Sequence, residues 1–275
     1  MIETTSILEW MLPLRIKDFA RGTLGYAKIV GFRPATSWDT ASKSTTGYCS
    51  EEVLQDFLER KSSFHVAFPR TTFVSPRFMP LSLAMLRCIS AKSNSDAKEL
   101  RILDVGGAFG EYYYWARKVF PELELKWDIL ETDLLARAAR DSEDNPSPIN
   151  WISSLNKSAP NYDIAILSSV LQYIPDPWSF LEPIAEISGH LIITRFPLTT
   201  CGFDEVATQH IRTRGRKISY PTHFLDEELA LQRLNGFGDI LLRWMAPEDR
   251  HIFRFKPIVG QGLLLRVRET TDRIN

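Results

Sequence analysis

The stretch ILDVGGAFGEYYYW, Ile102 to Trp115, sets three glycines between an apolar run and an aromatic segment. The apolar residues up to Val105 read as a buried strand and a helix begins near Gly110, so Gly106 and Gly107 fall in the turn between them. Residues without Cβ atoms permit a close backbone approach, and the free amides at a helix start make a partly positive pocket for a polar ligand. Asp104 stands at the strand end, where its carboxylate can accept from loop amides or meet a cationic ligand group. Taken alone, the stretch leaves two readings open: a nucleoside site, or a tight strand-to-helix turn in which glycine serves geometry only. The spacing is not the dinucleotide fingerprint G-x-G-x-x-G, which puts pyrophosphate on a helix terminus. The string is D-x-G-G-A-F-G, and an acid two residues ahead of the first glycine suits a ligand with an amino-acid tail better than a pyrophosphate.

Working outward, strands and helices alternate from Leu100 onward. RILDV is a strand, Glu111 to Val119 a helix, ELKWDILET a second strand and Leu134 to Arg140 a helix. INWIS and YDIAILSS follow as strands, then a helix around Trp178 to Ile187 and a fifth strand, HLIITRF, entering a long loop. A helix at Asp226 to Asn235 and strands at Asp239 to Trp244 and GLLLRVR close the pattern. Short strands joined by helical crossovers predict an α/β, Rossmann-like, mostly parallel sheet flanked by helices, with ligands beyond the carboxyl ends of the strands. Upstream, SEEVLQDFLERKSSF and Leu81 to Ile89 read as helices, with Ser50 as a cap and Glu51 and Glu52 in the first turn. The polar tract AKSNSDAKE reads as a linker. The expected division is therefore an N-terminal helical region at 1–98, a main domain at 99–268 and a tail at 269–275.

The balance of 33 basic and 34 acidic residues leaves a net charge of -1 over 275 residues, so no global field recruits nucleic acid. The greasiest region, FVSPRFMPLSLAMLRCIS, is interrupted by Arg77 and two prolines and is no membrane span. With Glu3 where a secretory signal carries basic residues, a cytoplasmic location is the expectation. Cys49, Cys88 and Cys201 are odd in number and far apart, which speaks against a disulfide scaffold or a cysteine zinc site and predicts small buried hydrophobes. No metal site is expected, because neither H-E-x-x-H nor a Cys/His spacing occurs.

Asp104, Gly106 and Gly110 resemble the first motif of class I S-adenosyl-L-methionine (SAM)-dependent methyltransferases, D/E-x-G-x-G-x-G, with Ala108 in the middle glycine position and Gly107 beside it. GFRPATSWDTASKSTTGY, KWDILET, SSVLQYIPDP and LIITRFPLTT with Gln209 carry the resemblance further. They are similar to an uncharacterised bacterial family of methyltransferase-like proteins often found among genes for surface polysaccharide assembly, over roughly residues 24 to 245. The resemblance implies the class I methyltransferase fold with a seven-stranded sheet, SAM as cofactor and a small-molecule or glycan-precursor acceptor. Glu131, at the end of the second strand, is then the acid for ribose hydroxyls, as in NAD-binding folds, with Asp133 as its fallback. Ser153, at the end of the third strand, is an adenine contact. Ser169 and Gln172 are cofactor neighbours, and Tyr173 is an aromatic wall toward the acceptor.

Arg195 leads into the chemistry-rich segment 197–224, an acceptor lid in this reading. His210 is its first candidate base, ahead of His223, Asp204 and Tyr173, because imidazole titrates near neutral pH. The run RTRGRK reads either as solvated surface or as a clamp for an anionic feature of the acceptor. Tyr48 and the segment up to Trp38 either close over the acceptor pocket or belong to helices that offer a homo-oligomer surface. Two rivals to methyl transfer stand beside it: an NAD-linked oxidoreductase, and a non-catalytic nucleoside-binding scaffold.

Overall fold

The computed structural model describes residues 14–27, 29–67, 78–91, 99–142, 148–155 and 161–268. Residues 92–98 of the expected linker, the expected tail and most of the phenylalanine-rich run from 64 to 78 lie outside them. In chain order come helix α1 (Leu14–Tyr26), strand β1 (Gly31–Ala35) and helices α2 (Trp38–Lys43), α3 (Glu51–Ala67) and α4 (Met79–Ala91). Next are β2 (Glu99–Val105), α5 (Glu111–Val119), β3 (Glu124–Leu130), α6 (Asp133–Asp141), β4 (Ile149–Ile152) and β5 (Tyr162–Ser168). Then follow a 3₁₀ turn at Leu171–Tyr173, α7 (Pro177–Glu186), β6 (Ser188–Thr199), β7 (Glu205–Thr213) and β8 (Arg216–Asp226). The order ends with α8 (Glu227–Phe237), β9 (Gly238–Phe253) and β10 (Lys256–Val267).

The central sheet runs β4-β3-β2-β5-β6, all parallel, and continues through antiparallel β10 to antiparallel β9. Strand β2 shows why it lies at the centre. Leu100 and Ile102 belong to the core on one face, Leu103 and Val105 to the core on the other, so both sides are covered and the strand reads as a continuous apolar run. Capping side chains start the helices that follow. The Thr132 hydroxyl accepts from Leu135 N, and Asp176 accepts from Trp178 N and Ser179 N with Pro177 opening α7.

Two expectations about the sheet are corrected. The sheet has ten strands among the described residues rather than seven: the central seven, of which β4, β3, β2, β5 and β6 run parallel, continue into three further strands. The span expected as a long loop after β6 is largely the antiparallel hairpin β7–β8, turned at Arg214 and Gly215 with φ of 47° and 81°. Polar residues on both faces of these strands hid the alternation that marks a half-buried strand. The hairpin joins the central sheet where Leu198 and Thr199 of β6 meet Leu225 and Asp226 of β8. β1 pairs antiparallel with β7, so the N-terminal region contributes a strand as well as helices. Of the cysteines expected to be buried, only Cys88 is; Cys49 and Cys201 are exposed. No helix among the described residues is long and apolar enough to cross a membrane.

Polar clasps fasten the N-terminal elements. Asp18 of α1 takes a two-pronged contact from Arg250 of β9, at 2.7 Å to each oxygen. Thr46 and Ser219 exchange hydrogen bonds between their hydroxyls and backbones, and Arg216 donates to Glu59 of α3 at 3.0 Å. The Arg250 contact holds the Asp18 carboxyl below its usual pKa. Replacing Asp18 by Ala is expected to loosen α1 by about 1 kcal/mol, roughly a fivefold loss of protection. Hydrogen exchange should show the loss in Leu14–Tyr26 and leave β2 and β5 as protected as before.

Candidate functional site

A cavity of about 910 Å³ opens at the carboxyl ends of β2, β3, β5 and β6, where the topology of an α/β sheet places ligands. One end is built by the glycine turn. Gly106 has φ 70°, and a Cβ there would come within 2.7 Å of Val170 Cγ2. Gly110 has φ 83° at the N-cap of α5, where a Cβ would meet Ile149 Cδ1 at 2.5 Å. Ala108, in the middle position, adopts φ 47°, a conformation that glycine reaches more easily. Gly107 is required for another reason: a Cβ would sit 2.3 Å from Asp104 Oδ2.

That contact corrects the role expected of Asp104. Its side chain is not on the cavity wall; it lies behind the turn, 1% exposed, under Gly107. Trp127 Nε1 donates to Oδ2 at 3.3 Å, while Oδ1 is buried with no hydrogen-bond partner. Burial pushes the carboxyl pKa up to about 8, partly opposed by the Trp127 hydrogen bond and reinforced by the Glu131 charge. Glu131 does line the cavity, beside Gly106 and Gly107. Its Oε1 accepts from Ala108 N at 3.1 Å and its Oε2 from Thr132 N at 2.9 Å. Burial raises its pKa, and the two amides partly offset this. Ser153 and Ser154 continue the same wall, whereas Asp133 sits at the surface end of α6 and pairs with Arg137.

The segment after β5 forms the floor. Ser169, at φ 58°, lines the cavity and accepts from Gln172 Nε2 at 2.8 Å. Gln172 itself is 2% exposed and behind the wall, with Oε1 lacking a partner, so it supports Ser169 where direct cofactor contact was expected. Tyr173 lines the cavity and donates to Gln209 Oε1 at 2.8 Å. Burial raises the pKa of its hydroxyl, and Asp249 adds to that.

Arg195 also lines the cavity, at φ 56°, and contacts Asp249 Oδ1 at 3.2 Å. Asp249 Oδ2 lies 3.2 Å from His251 Nε2. Burial by itself would raise the Asp249 pKa, but His251 and Arg195 together hold it below its usual value. Neither Asp249 nor His251 was singled out in the sequence. The signal was present as Asp-x-His on a strand, since residues two apart share a face. The far wall comes from the hairpin and the N-terminal region: Tyr48, Val53, Phe57, Ile211, Ile218 and Tyr220.

His210 is corrected as candidate base. On β7, Gln209, Ile211 and Thr213 face the cavity, so strand alternation turns His210 to the other side, where Nε2 lies 3.0 Å from Thr208 Oγ1. Of its alternates, His223 stacks on Trp38 at 4.4 Å and Asp204 accepts from Asp226 N at the start of α8; neither lines the cavity. Of the two readings of the basic run, exposed surface fits Arg212, Arg214 and Lys217, and none of its basic residues lines the cavity as a clamp would. Arg214 and Arg216 face Asp56 and Glu59 of α3, and Thr213 donates to Asp56 Oδ1 at 2.8 Å, so the hairpin turn docks on the N-terminal region.

No protein-family model matches the chain. No curated protein matches it. Among solved structures it is similar to the N-terminal domain of EvdMO1 with SAH bound, at 16% identity and a TM-score of 0.41 over 67% of this chain and 81% of that one. It is similar to a S-adenosylmethionine-dependent methyltransferase from Clostridium acetobutylicum, at 11% identity and 0.45 over 78% and 98%. The CcbJ methyltransferase from Streptomyces caelestis stands at 10% and 0.43 over 76% and 96%. Likenesses of this size leave function to be read from the chain's own geometry.

Two outcomes test the turn. Gly107→Ala is expected to destabilise the protein by about 1–3 kcal/mol, because the added methyl meets a buried carboxylate that cannot withdraw. The lowered denaturant midpoint measures it. Asp104 has a folded pKa above its unfolded value of 3.8, so the folded chain holds a proton that the unfolded chain releases between those values. Stability contributed by this group is therefore full below pH 4 and lost as pH rises toward 8. In Asp104→Asn that decline should disappear from the pH dependence of the midpoint.

Proposed function

We propose that the chain binds SAM and transfers its methyl group to a small acceptor, with an oxygen as the preferred site of methylation. The observation that carries this reading is Glu131: a buried carboxylate fixed by two backbone amides on the wall of a large cavity, beside the open backbone of Gly106 and Gly107. A carboxylate at the end of the second strand suits ribose hydroxyls. Glu111 lines the same end, so a pyrophosphate would face two acids there, whereas the ammonium of a methionine tail and a sulfonium are favoured. The antiparallel β10 and β9 beyond β6 also depart from the dinucleotide-binding order, which speaks against the oxidoreductase. A non-catalytic scaffold would show either a blocked pocket or ligand binding with no methyl transferred; the cavity is open past Ala108, which leaves the second form to a transfer assay.

The residues present fit the cofactor. The turn presents the bare backbone of Gly106 and Gly107 to the cavity, and the cavity lies at the upper end of the range of about 300–1,000 Å³ for small-molecule sites, enough for cofactor and acceptor together. SAM, when bound, supplies a methyl group already activated on a sulfonium. The chain's own work is then to orient ribose through Glu131, hold the acceptor against Tyr173 and exclude water with Tyr48, Phe57 and Tyr220. The proton of a hydroxyl acceptor has a place to go in the His251 imidazole, which Asp249 orients. In this reading the described residues of the N-terminal region cap the acceptor end and the described residues between 99 and 268 form the cofactor domain. The resemblance to proteins encoded beside polysaccharide genes places glycan precursors among the acceptors to be tried.

SAH (S-adenosylhomocysteine) at a hundred times its Kd is expected to raise stability by about 2.7 kcal/mol in a thermal melt, with no shift from NAD. Glu131→Gln should weaken SAH at least about tenfold, because an amide cannot accept from both the ribose and the loop as the carboxylate does. Protection by NAD with none by SAH would replace this reading with the oxidoreductase.

A further inference from the structure

We propose that the acceptor is a neutral aryl compound carrying a hydroxyl, held by the aromatic wall of Tyr48, Tyr173 and Tyr220. This inference rests on the methyl-transfer reading and names its substrate class.

The three rings form one surface. Tyr48 lies 5.1 Å from Tyr220 and 5.7 Å from Tyr173 between ring centroids, and Tyr173 meets Tyr220 edge to face at 5.2 Å. Phe57 extends the wall, 6.4 Å from Tyr48. Ile211 and Ile218 from the hairpin add apolar surface. Such a wall gains most from a flat apolar ring, which can stack or sit edge-on against it. A sugar would lay hydroxyls against isoleucine and phenylalanine, where they lose water without gaining partners.

Charge points the same way. The guanidinium groups on this side are met by carboxylates of the chain: Arg195 by Asp249, Arg214 by Asp56, and Arg216 by Glu59. An anionic acceptor would have to break one of these pairs and would face the carboxylates left behind. Asp56 and Thr213 also line the cavity but satisfy each other at 2.8 Å, and the remaining polar groups of the acceptor end lie at one edge, around Tyr173. Tyr173 donates to Gln209 and feels the charges of Asp249 and Arg195, and His251 adjoins Asp249. That edge suits one hydroxyl on an otherwise apolar molecule. In the transfer, the acceptor oxygen forms the bond to the methyl carbon while the carbon–sulfur bond breaks with its electron pair left on sulfur. The oxygen's proton passes to the His251 imidazole.

Tyr48 supplies the test because it belongs to the N-terminal region and its ring packs against Phe57, Tyr173 and Tyr220 at the acceptor end. Its position is set by Gly47 N donating to Ser219 O at 3.0 Å and by the Thr46–Ser219 clasp, so changing its ring leaves its backbone anchored. The experiment titrates 2-naphthol, galactose and galactose 1-phosphate into the full chain with SAH present, by calorimetry. Tyr48→Ala and Tyr48→Leu are compared with the wild type, and the Kd of SAH is measured for each. The expected result is that 2-naphthol binds tightest, that both variants weaken it at least about tenfold, and that SAH affinity stays within about twofold. Tighter binding of either sugar, no binding of 2-naphthol, or 2-naphthol affinity unchanged in both variants overturns the inference. If SAH binds none of the three proteins, the methyl-transfer reading fails; ring-dependent binding of 2-naphthol without SAH would still support the aromatic acceptor site.

Discussion

The burial of one carboxylate beneath one glycine organises this site. Asp104 fills the space under Gly107 so closely that no side chain fits there, and Trp127 of β3 holds one of its oxygens. The turn above is thereby fixed, and Ala108 is carried into a left-handed conformation with its amide and carbonyl pointing in useful directions. The amide donates to Glu131 at the end of β3, and the carbonyl accepts from Trp151 Nε1 of β4 at 2.8 Å. Three neighbouring strand ends are thus tied into one rigid rim. Glu131 faces the cavity because of this arrangement, and a preorganised carboxylate spends little entropy on capturing a ligand.

The second half of the site depends on a different kind of constraint. The hairpin β7–β8 projects past the end of the parallel strands, and it is covered by β1, α2 and α3 from the N-terminal region. Ion pairs from Arg214 and Arg216, and the exchange between Thr46 and Ser219, hold these pieces together. The aromatic end of the cavity therefore exists only when residues far apart in the chain are docked. Tyr48 and Phe57 come from one side of it, Tyr173 from the segment after β5, and Tyr220 from the hairpin.

The division between legible and hidden features follows from this. The strand-helix alternation after Leu100, the glycine turn and the positions of Glu131, Ser153, Ser169, Tyr173 and Arg195 on the cavity were readable, because local patterning places strand ends and turns. Side-chain direction was not. Asp104 sits at the strand end as expected but faces the interior, and Gln172 lies one layer behind the wall, since neither direction is encoded in spacing alone. His210 is separated from the cavity by the alternation of β7, a strand whose mixed polar faces made it look like a loop. Asp249, with His251 beside it, reaches Arg195 from 54 residues along the chain through the pairing of β9 with β10 and of β10 with β6, a relation no local motif records.

The most direct measurement of the central claim is a crystal structure of the full chain grown with SAH. The account predicts ribose hydroxyls within hydrogen-bond reach of Glu131, the amino-acid tail over the backbone of Gly106 and Gly107, and the sulfur turned toward Tyr173. Adenosine lodged elsewhere, or a glycine turn collapsed onto Glu131 with the ligand excluded, would contradict it.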